Sequence, residues 1–545
     1  MVKNLLSLLY SRQTSILSGA SIIMTTVIMA KFLGLIRDRL LVATFPPDTV
    51  ALFFAAFRLP DLLFQLLVFG TLSVAFIPVF TENLERNGKN EAFALAQSIL
   101  NLSLLILTVV TVLIFVFIQP ITALIVPGFT AEQQAQTANL TRIILIGQII
   151  LTIGSFFIGI LQSFQRFIIP AMAGVVYNLG IILGVVIFGK SMGITGAAVG
   201  VIIGASLHAL IQLPLVLSLG FKFNLTKLFH PGDKEIFKLM SVRTLGLAAE
   251  QINETIGVIL ASVVSTASVT YLTFSQHLQL VPVGLFGATI AQAALPVLAS
   301  ERARGRIDEF KSTLLTTLHQ ILFLALPASA ILIVLRIPSV RLTFGASQFD
   351  WEATVLTGKT LAFMSVGLAA QSIVLLLVRS FYALRDTKTP VIISFITVLI
   401  DIGLSVLFVK VLHLEVWSLG LAFSISNIVS GSLLFLALHK KIDGFDLRSV
   451  FTPMIKMLMA TIIMGAALYI PIKLFDQVIV DTTRTVGLLV LTSLASIFAL
   501  SVYIFLVWFM RVRELQTYVE LFKKLSQFQN KFKPKEFINP EGQSL

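Results

Sequence analysis

Apolar runs of eighteen residues or more recur along the whole chain, separated by short segments that hold most of the charged side chains. Each run is long enough to cross a hydrocarbon layer of about 30 Å. The pattern predicts fourteen membrane-spanning helices, near 15–36, 50–80, 92–119, 137–162, 167–189, 193–219, 237–265, 268–299, 313–335, 354–383, 390–412, 416–438, 453–474 and 484–510. The second, seventh, eighth and tenth exceed one crossing, so tilt or extension beyond the bilayer is expected. The first run, SILSGASIIMTTVIMAKFLGLI, is too long for a signal core and lacks a small-residue exit, so it reads as a permanent span.

Composition sharpens this picture. The 545 residues are 57% hydrophobic and only 12% charged, with a mean hydropathy of +0.95. A soluble protein carries about a quarter of its residues charged. The chain has no cysteine, which excludes disulfides, thiolate metal sites and cysteine nucleophiles. The net charge of +13 fits the excess of Lys and Arg on cytoplasmic loops, and no nucleic-acid partner is expected. Alternate connections are rich in Lys and Arg: Arg86 and Lys89, Arg166, Lys222 to Lys234, Arg302 to Lys311, Arg385 and Lys388, Lys440 to Arg448, and the tail from Arg511 to Lys535. The 120–136 and 263–268 segments between them have none. Both termini are therefore expected in the cytoplasm. The tail after Met510 reads as an amphipathic surface segment on anionic lipid.

The chain also repeats itself. LLVFGTLSVAFIPVFTENLERNGKNEAF on the second span aligns with VGLFGATIAQAALPVLASERARGRIDEF on the eighth, and Pro170 aligns with Pro390. The offset is about 220 residues, or six spans. An even number implies two lobes of the same orientation, a transporter plan in which substrate is handled between the halves. The expected fold class is an all-α polytopic membrane protein with two parallel six-helix lobes in a V around a central cavity. The lobes would be 1–220 and 221–440, followed by two extra helices in 441–510 and a basic cytoplasmic tail, 511–545.

Ionisable residues inside a membrane are costly and usually face a cavity with a function. Lys31, Arg37, Asp38 and Arg39 lie at the end of the first span, and Arg58 and Asp61 flank Pro60 on the second. Guanidinium groups match phosphate oxygens, so this net positive patch suits an anionic, pyrophosphate-bearing substrate. Interfacial snorkelling of Arg37 and Arg39 with a structural Arg58–Asp61 pair is the alternative. A second cluster holds Arg243, Glu250, Asn253 and Glu254 on span seven, Asp401 and Ser405 on span eleven, and Ser424 and Asn427 on span twelve. Glu250, Asn253 and Glu254 share one helical face. Such oxygens suit a hard cation such as sodium, or a proton relay; helix–helix hydrogen bonding is the alternative. Of six histidines only His277 is expected to face the cleft. No nucleophile–base pair, phosphate loop or metal loop is present in the sequence, so no enzyme activity is expected.

Several stretches then resemble the MurJ/MviN family of lipid II flippases: RSFYALRDTKTP at 379–390, RFIIPAMA at 166–173 with Asn178, RTLGLAAEQIN at 243–253, FFAAFRLPDLL at 53–63, GLIRDRL at 34–40, and the Gln212/Pro214 pair. The resemblance implies the MOP-superfamily transporter fold in the bacterial inner membrane, with spans thirteen and fourteen forming a groove for a lipid tail. It implies lipid II, the undecaprenyl-pyrophosphate-linked peptidoglycan precursor, as substrate, moved by alternating access by a monomer, for cell-wall synthesis. A flippase for another polyprenyl-pyrophosphate-linked saccharide, or an ion-coupled exporter of the same superfamily, is the alternative. Arg37 and Asp38 would contact the headgroup, with Arg39, Arg58, Asp61 and His277 around them. Asp401, Ser405 and Ser424 with Glu250, Asn253 or Glu254 would couple transport to Na+ or H+ or to membrane potential, with a sodium ion at Asp401/Glu254. The sequence departs from the family at Gln276-His277 and Leu280, where an acidic-Arg pair and a Glu are usual, and at Phe64-Gln65 and Phe69-Gly70 on span two.

Overall fold

The computed structural model describes residues 16–69, 76–224, 228–475, 481, 484–518 and 520. Gly70, the side chain of Arg243 and most of the basic tail lie outside the described residues. Where described, the secondary structure is helical, without strands. That is the outcome lipid demands, because every backbone N–H and C=O in the hydrocarbon must be paired within its own segment.

The helices run α1 (Ile16–Thr44), α2 (Pro47–Phe64), α3 (Ile77–Arg86), α4 (Lys89–Ile125), α5 (Ala131–Ser163), α6 (Ile168–Leu183), α7 (Ile194–Leu210) and α8 (Leu213–Ser218). Then come α9 (Asp233–Val264), α10 (Ser268–Pro282), α11 (Thr289–Ala303), α12 (Ile307–Val334), α13 (Arg336–Phe344), α14 (Trp351–Val366), α15 (Leu368–Ala383), α16 (Lys388–Val406) and α17 (Trp417–Lys441). The last two are α18 (Leu447–Phe475) and α19 (Thr485–Phe509). Among the described residues eleven helices are long and apolar enough to cross a membrane, or twelve if the bent pair α14–α15 is one span. The helices α1, 29 residues, and α9, 32 residues, are also of spanning length, so the structure is compatible with fourteen.

Local sequence explains the boundaries. Thr130 and Gln133 form a reciprocal cap at the start of α5. Asp350 accepts the Ala353 N–H at 2.8 Å and starts α14. The long 120–136 loop expected from composition shrinks to five residues, because α4 runs on to Ile125 and the capped α5 starts at Ala131. The second and eighth spans are not continuous α-helix. A π-helical turn at Gln65–Phe69 follows α2, and one at Val283–Ala288 follows α10. Two more, Gly184–Phe188 and Leu407–Val411, end α6 and α16. Each pair is separated by about 220 residues, the offset of the sequence repeat. Residues of positive φ follow the same rule: Gly88 with Gly305, Gln165 with Arg385, Gly193 with His413. The two halves thus share backbone irregularities as well as helices.

The apolar cores divide the molecule into two ends. At one end a single buried cluster draws on both halves, including Leu41, Phe53, Phe129 and Val201 with Phe274, Phe344, Phe349 and Val416. Phe274 stacks on Phe344 with ring centroids 4.0 Å apart. A Cβ on Gly128 would sit 1.9 Å from the Ser262 carbonyl oxygen, so α4's exit loop touches α9 backbone to backbone there. At the other end the halves keep separate cores, one around Phe80, Phe93, Phe157 and Phe221, the other around Phe310, Phe381, Leu438 and Tyr503. The helix α9 touches both halves. Its start is held to α4 by Ser98 and Asp233, 2.6 Å apart, while its later turns pack along α16. The last two helices add to the second half, α18 against α12 and α19 against α18.

Candidate functional site

The joined end is pinned by the charged residues of α1. Arg37 donates to Asp38 Oδ1 from Nε at 2.9 Å and Nη2 at 2.7 Å, and to Asn178 Oδ1 at 3.2 Å. Asp38 is fully buried, and its other oxygen receives His277 Nδ1 at 2.6 Å. One carboxylate therefore links α1 of the first half to α10 of the second. A buried carboxylate without such donors would be strongly destabilising. Arg39 donates to the Leu342 carbonyl at 2.8 Å, a second bridge between the halves. It is used in structure rather than turned to a cavity. Lys31, two turns before Arg37, lies along Gly284 in the π-turn after α10.

Arg58 on α2 does not pair with Asp61. It reaches α9 instead, donating to Glu254 at 2.7 Å and to Gln251. Asp61 accepts from Gln148 on α5 at 3.3 Å. The second half repeats this α2–α5 contact in neutral form, with Gln279 on α10 donating to Gln371 on α15 at 2.6 Å. The departures noted at Gln276 and its neighbours thus fall at the counterparts of Arg58 and Asp61.

Glu250, Asn253, Glu254, Gln276, Asp401 and Ser405 line one cavity of about 150 Å³ between α9, α10 and α16. Asn253 donates to Asp401 Oδ2 at 2.7 Å, and Asp401 Oδ1 is buried without a partner. Counting from the π-turns that end α6 and α16, Asn178 stands where Asp401 stands, Asn178 bonding to α1 and Asp401 to α9. The first half thus carries a neutral amide where the second carries a carboxylate. Ser424 is not in this cavity. It accepts the Gly367 N–H at 2.9 Å and donates to the Met364 carbonyl at 3.1 Å, holding the 45° bend between α14 and α15. Asn427 bonds back to the Phe423 carbonyl of its own helix.

The arrangement is a charged interface between two halves, with Arg58 of α2 paired to Glu254 of α9, Arg37 of α1 paired to its neighbour Asp38, and Asp401 of α16 bonded to Asn253 of α9. The profile of the family described as "Lipid II flippase MurJ" matches residues 44–486. The chain belongs to the lipid II flippase MurJ family. A probable lipid II flippase MurJ of Bdellovibrio bacteriovorus is 26% identical over 485 residues, covering 87% of this chain and 91% of the relative. The lipid II flippase MurJ of Burkholderia cenocepacia is 26% identical over 426 residues, 76% and 82% of the two chains. A solved lipid II flippase MurJ in an inward closed conformation superposes with a TM-score of 0.76 at 23% identity, over 90% of this chain and 98% of that one. An inward-facing multidrug-resistance MATE transporter of the MOP superfamily shares the fold, with a TM-score of 0.65 at 17% identity over 78% and 98%. The fold expected from the sequence, a helical MOP-type transporter of the MurJ family, is the fold found.

The family signature RSFYALRDTKTP also has a structural use. Arg379 donates to the Ala288 carbonyl at 2.8 Å, at the end of the π-turn after α10. Asp386 accepts from the Lys388 and Thr389 N–H groups at 3.1 and 3.0 Å, from the Thr389 hydroxyl at 2.6 Å and from Lys441 at 2.6 Å. Burial alone would raise its pKa; the Lys441 and Thr389 hydrogen bonds outweigh that and hold it at about 2. Sequence reasoning missed Gln148 and Gln251, because neutral amides in an apolar helix carry no charge signal.

Proposed function

We propose that this chain moves lipid II from the inner to the outer leaflet of the bacterial cytoplasmic membrane by alternating access. The observation that carries the reading is the inter-half set of Arg37, Asp38, His277 and Arg58 in a member of this family. A disaccharide-peptide headgroup with a diphosphate cannot cross hydrocarbon unaided. Two guanidinium groups in a water-excluded interface give it binding partners on the way. Other polyprenyl-linked saccharides and drug export are not favoured by the family match.

Both termini are cytoplasmic in this reading, so the joined end faces outward. The headgroup enters from the cytoplasmic side, engages Arg37, Arg58 and His277, and leaves when the outer contacts part. Asp61 lies near Arg58 and is held by Gln148. Residues 1–220 and 221–440 move as lobes. The helices in 441–510 carry the lipid tail, and the 511–545 tail lies on anionic lipid. The protein acts as a monomer. Asp401, with Asn253 and Ser405 beside it, takes a monovalent cation, and Glu250 and Glu254 set the local charge. Sodium fits this donor set: the orphaned Asp401 oxygen is a hard ligand, and the Asn253 amide that donates to its other oxygen carries a neutral carbonyl oxygen of its own. Among the described residues no three carboxylates or imidazoles converge as a divalent ion would require.

The test is expression in a bacterium depleted of its own flippase, reading how much lipid II an externally added lipid-II-cleaving enzyme reaches. Restored cleavage, lost in Arg37→Ala, is expected. Folded protein in the membrane without restored cleavage would overturn the reading.

A further inference from the structure

The guanidinium groups that would take a substrate phosphate are already occupied, each by a carboxylate of the protein. Arg37 has Asp38, which is fully buried and also held by His277. Arg58 has Glu254, and the two differ in freedom: the Arg58 side chain is 10% exposed, the Glu254 side chain 45%. Glu254 is thus the partner that can leave.

Where it would go is set by α9. Glu254 sits one turn from Glu250 and next to Asn253, and all three line the cavity that contains Asp401. Asp401 is 7% exposed, with one oxygen bonded to Asn253 and the other bare. The cavity lining holds three carboxylates and no Lys or Arg. With Glu254 on Arg58, one of those charges is neutralised from outside the cavity. Once an anion takes Arg58, all three face a space without a cation of its own.

We propose that Glu254 is an internal stand-in for the substrate's phosphate, pairing with Arg58 in the empty transporter and turning to the Asp401 cavity when a lipid-linked diphosphate arrives, so that anion and cation bind cooperatively. The proposal rests on the reading of Arg58 as a phosphate ligand and of the Asp401 cavity as a cation site. Displacement of Glu254 by phosphate raises the cavity's negative charge and its cation affinity. A cation in the cavity draws Glu254 off Arg58 and raises diphosphate affinity by the same factor, as linkage requires. The exchange also breaks an α2–α9 tie. Because α9 is anchored to α4 at its start and packed on α16 further along, releasing Arg58 loosens a helix that touches both halves.

The experiment uses the full chain in nanodiscs and measures binding of undecaprenyl diphosphate in sodium chloride and in choline chloride at equal ionic strength and pH. Wild type is expected to bind about five- to tenfold more tightly in sodium. E254Q keeps the shape but loses the competing charge, so it should bind equally in both salts, at least as tightly as wild type in sodium. Asp401→Asn should bind equally in both salts at the wild-type choline value. E254Q that binds more weakly than wild type, or that keeps the sodium effect, would overturn the proposal. Absence of diphosphate binding by folded wild type would overturn the underlying functional reading instead. As a second measurement, spin labels on introduced cysteines in α2 and α9, in a chain with no native cysteine, should move apart on adding undecaprenyl diphosphate. An unchanged distance would count against the exchange even if a variant misfolds.

Discussion

The two halves of the molecule carry the same backbone and opposite chemistry. Their π-turns and positive-φ residues recur about 220 residues apart, so the scaffold is duplicated down to its irregularities. Their charged side chains at the interface do not recur. The first half presents Arg37 and Arg58; the second presents Glu250, Glu254 and Asp401. Where the second half has Asp401, the first has Asn178, and where the first has Arg58 and Asp61, the second has Gln276 and Gln279. The fold therefore accepts a charged or a neutral polar side chain at these positions. What the charged versions add is a contact between halves that can be exchanged for a ligand.

The comparison can be broken by substitution. The largest effect is expected from Arg37→Ala, which leaves the buried Asp38 charge with His277 alone and should cost about 3–5 kcal/mol of stability along with transport. Removing Asp38 as well should restore much of the melting temperature but no flipping; flipping by that double variant would make the Arg37–Asp38 pair purely structural. Asp401→Ile removes the buried carboxylate of the second half. It should leave stability unchanged or raise it by about 1–4 kcal/mol, since a half-satisfied buried carboxylate is replaced by an apolar side chain. Transport should fall at least tenfold in the external lipid II cleavage assay, and full activity would remove Asp401 from the coupling path.

The duplicated turns offer a finer test. Gly193, at φ 58° and ψ −144°, occupies a region open essentially to glycine alone, whereas its counterpart His413 has φ 50°. Gly193→Ala should destabilise by about 1–3 kcal/mol and His413→Gly by no more than about 1 kcal/mol, read from thermal unfolding. A modest effect is expected from Asp386→Ala, about 1–2 kcal/mol through loss of the Thr389 and Lys441 bonds. Its pKa is depressed from 3.8 to about 2. The contribution is therefore complete above about pH 4 and lost as pH falls through 2. The melting-temperature gap between wild type and Asp386→Ala should be constant from pH 7 to 5 and narrow only below 4.

Much of this was legible in the chain because lipid makes the hydropathy signal nearly one-dimensional. The helices fall on the predicted runs, and the duplicated turns recur at the spacing of the 220-residue repeat. The places where prediction failed share a cause. The breaks at Gln65, Val283 and Gly367 lie inside apolar runs, and hydropathy does not distinguish an i→i+5 turn from α-helix. Single charges were found because they are expensive in hydrocarbon, but their partners were not. Arg58 has an acidic residue three positions away, yet its guanidinium bonds to α9, nearly two hundred residues on. Ser424 looked like an ion ligand from composition, and its hydroxyl is consumed by the bend at Gly367. Which side chains meet across the interface depends on how the halves close, and no local pattern encodes that.

The closure at the joined end is the premise on which alternating access rests here. Ser347 donates to the Ala43 carbonyl at 3.0 Å across it. The most direct measurement is lipid II flipping in proteoliposomes by an Ala43→Cys/Ser347→Cys variant of this cysteine-free chain, before and after reduction of the cross-link. Flipping is expected to stop when the bond forms and to return on reduction. Unimpaired flipping by the fully cross-linked protein would contradict the account, because the headgroup would then be crossing without the two halves parting.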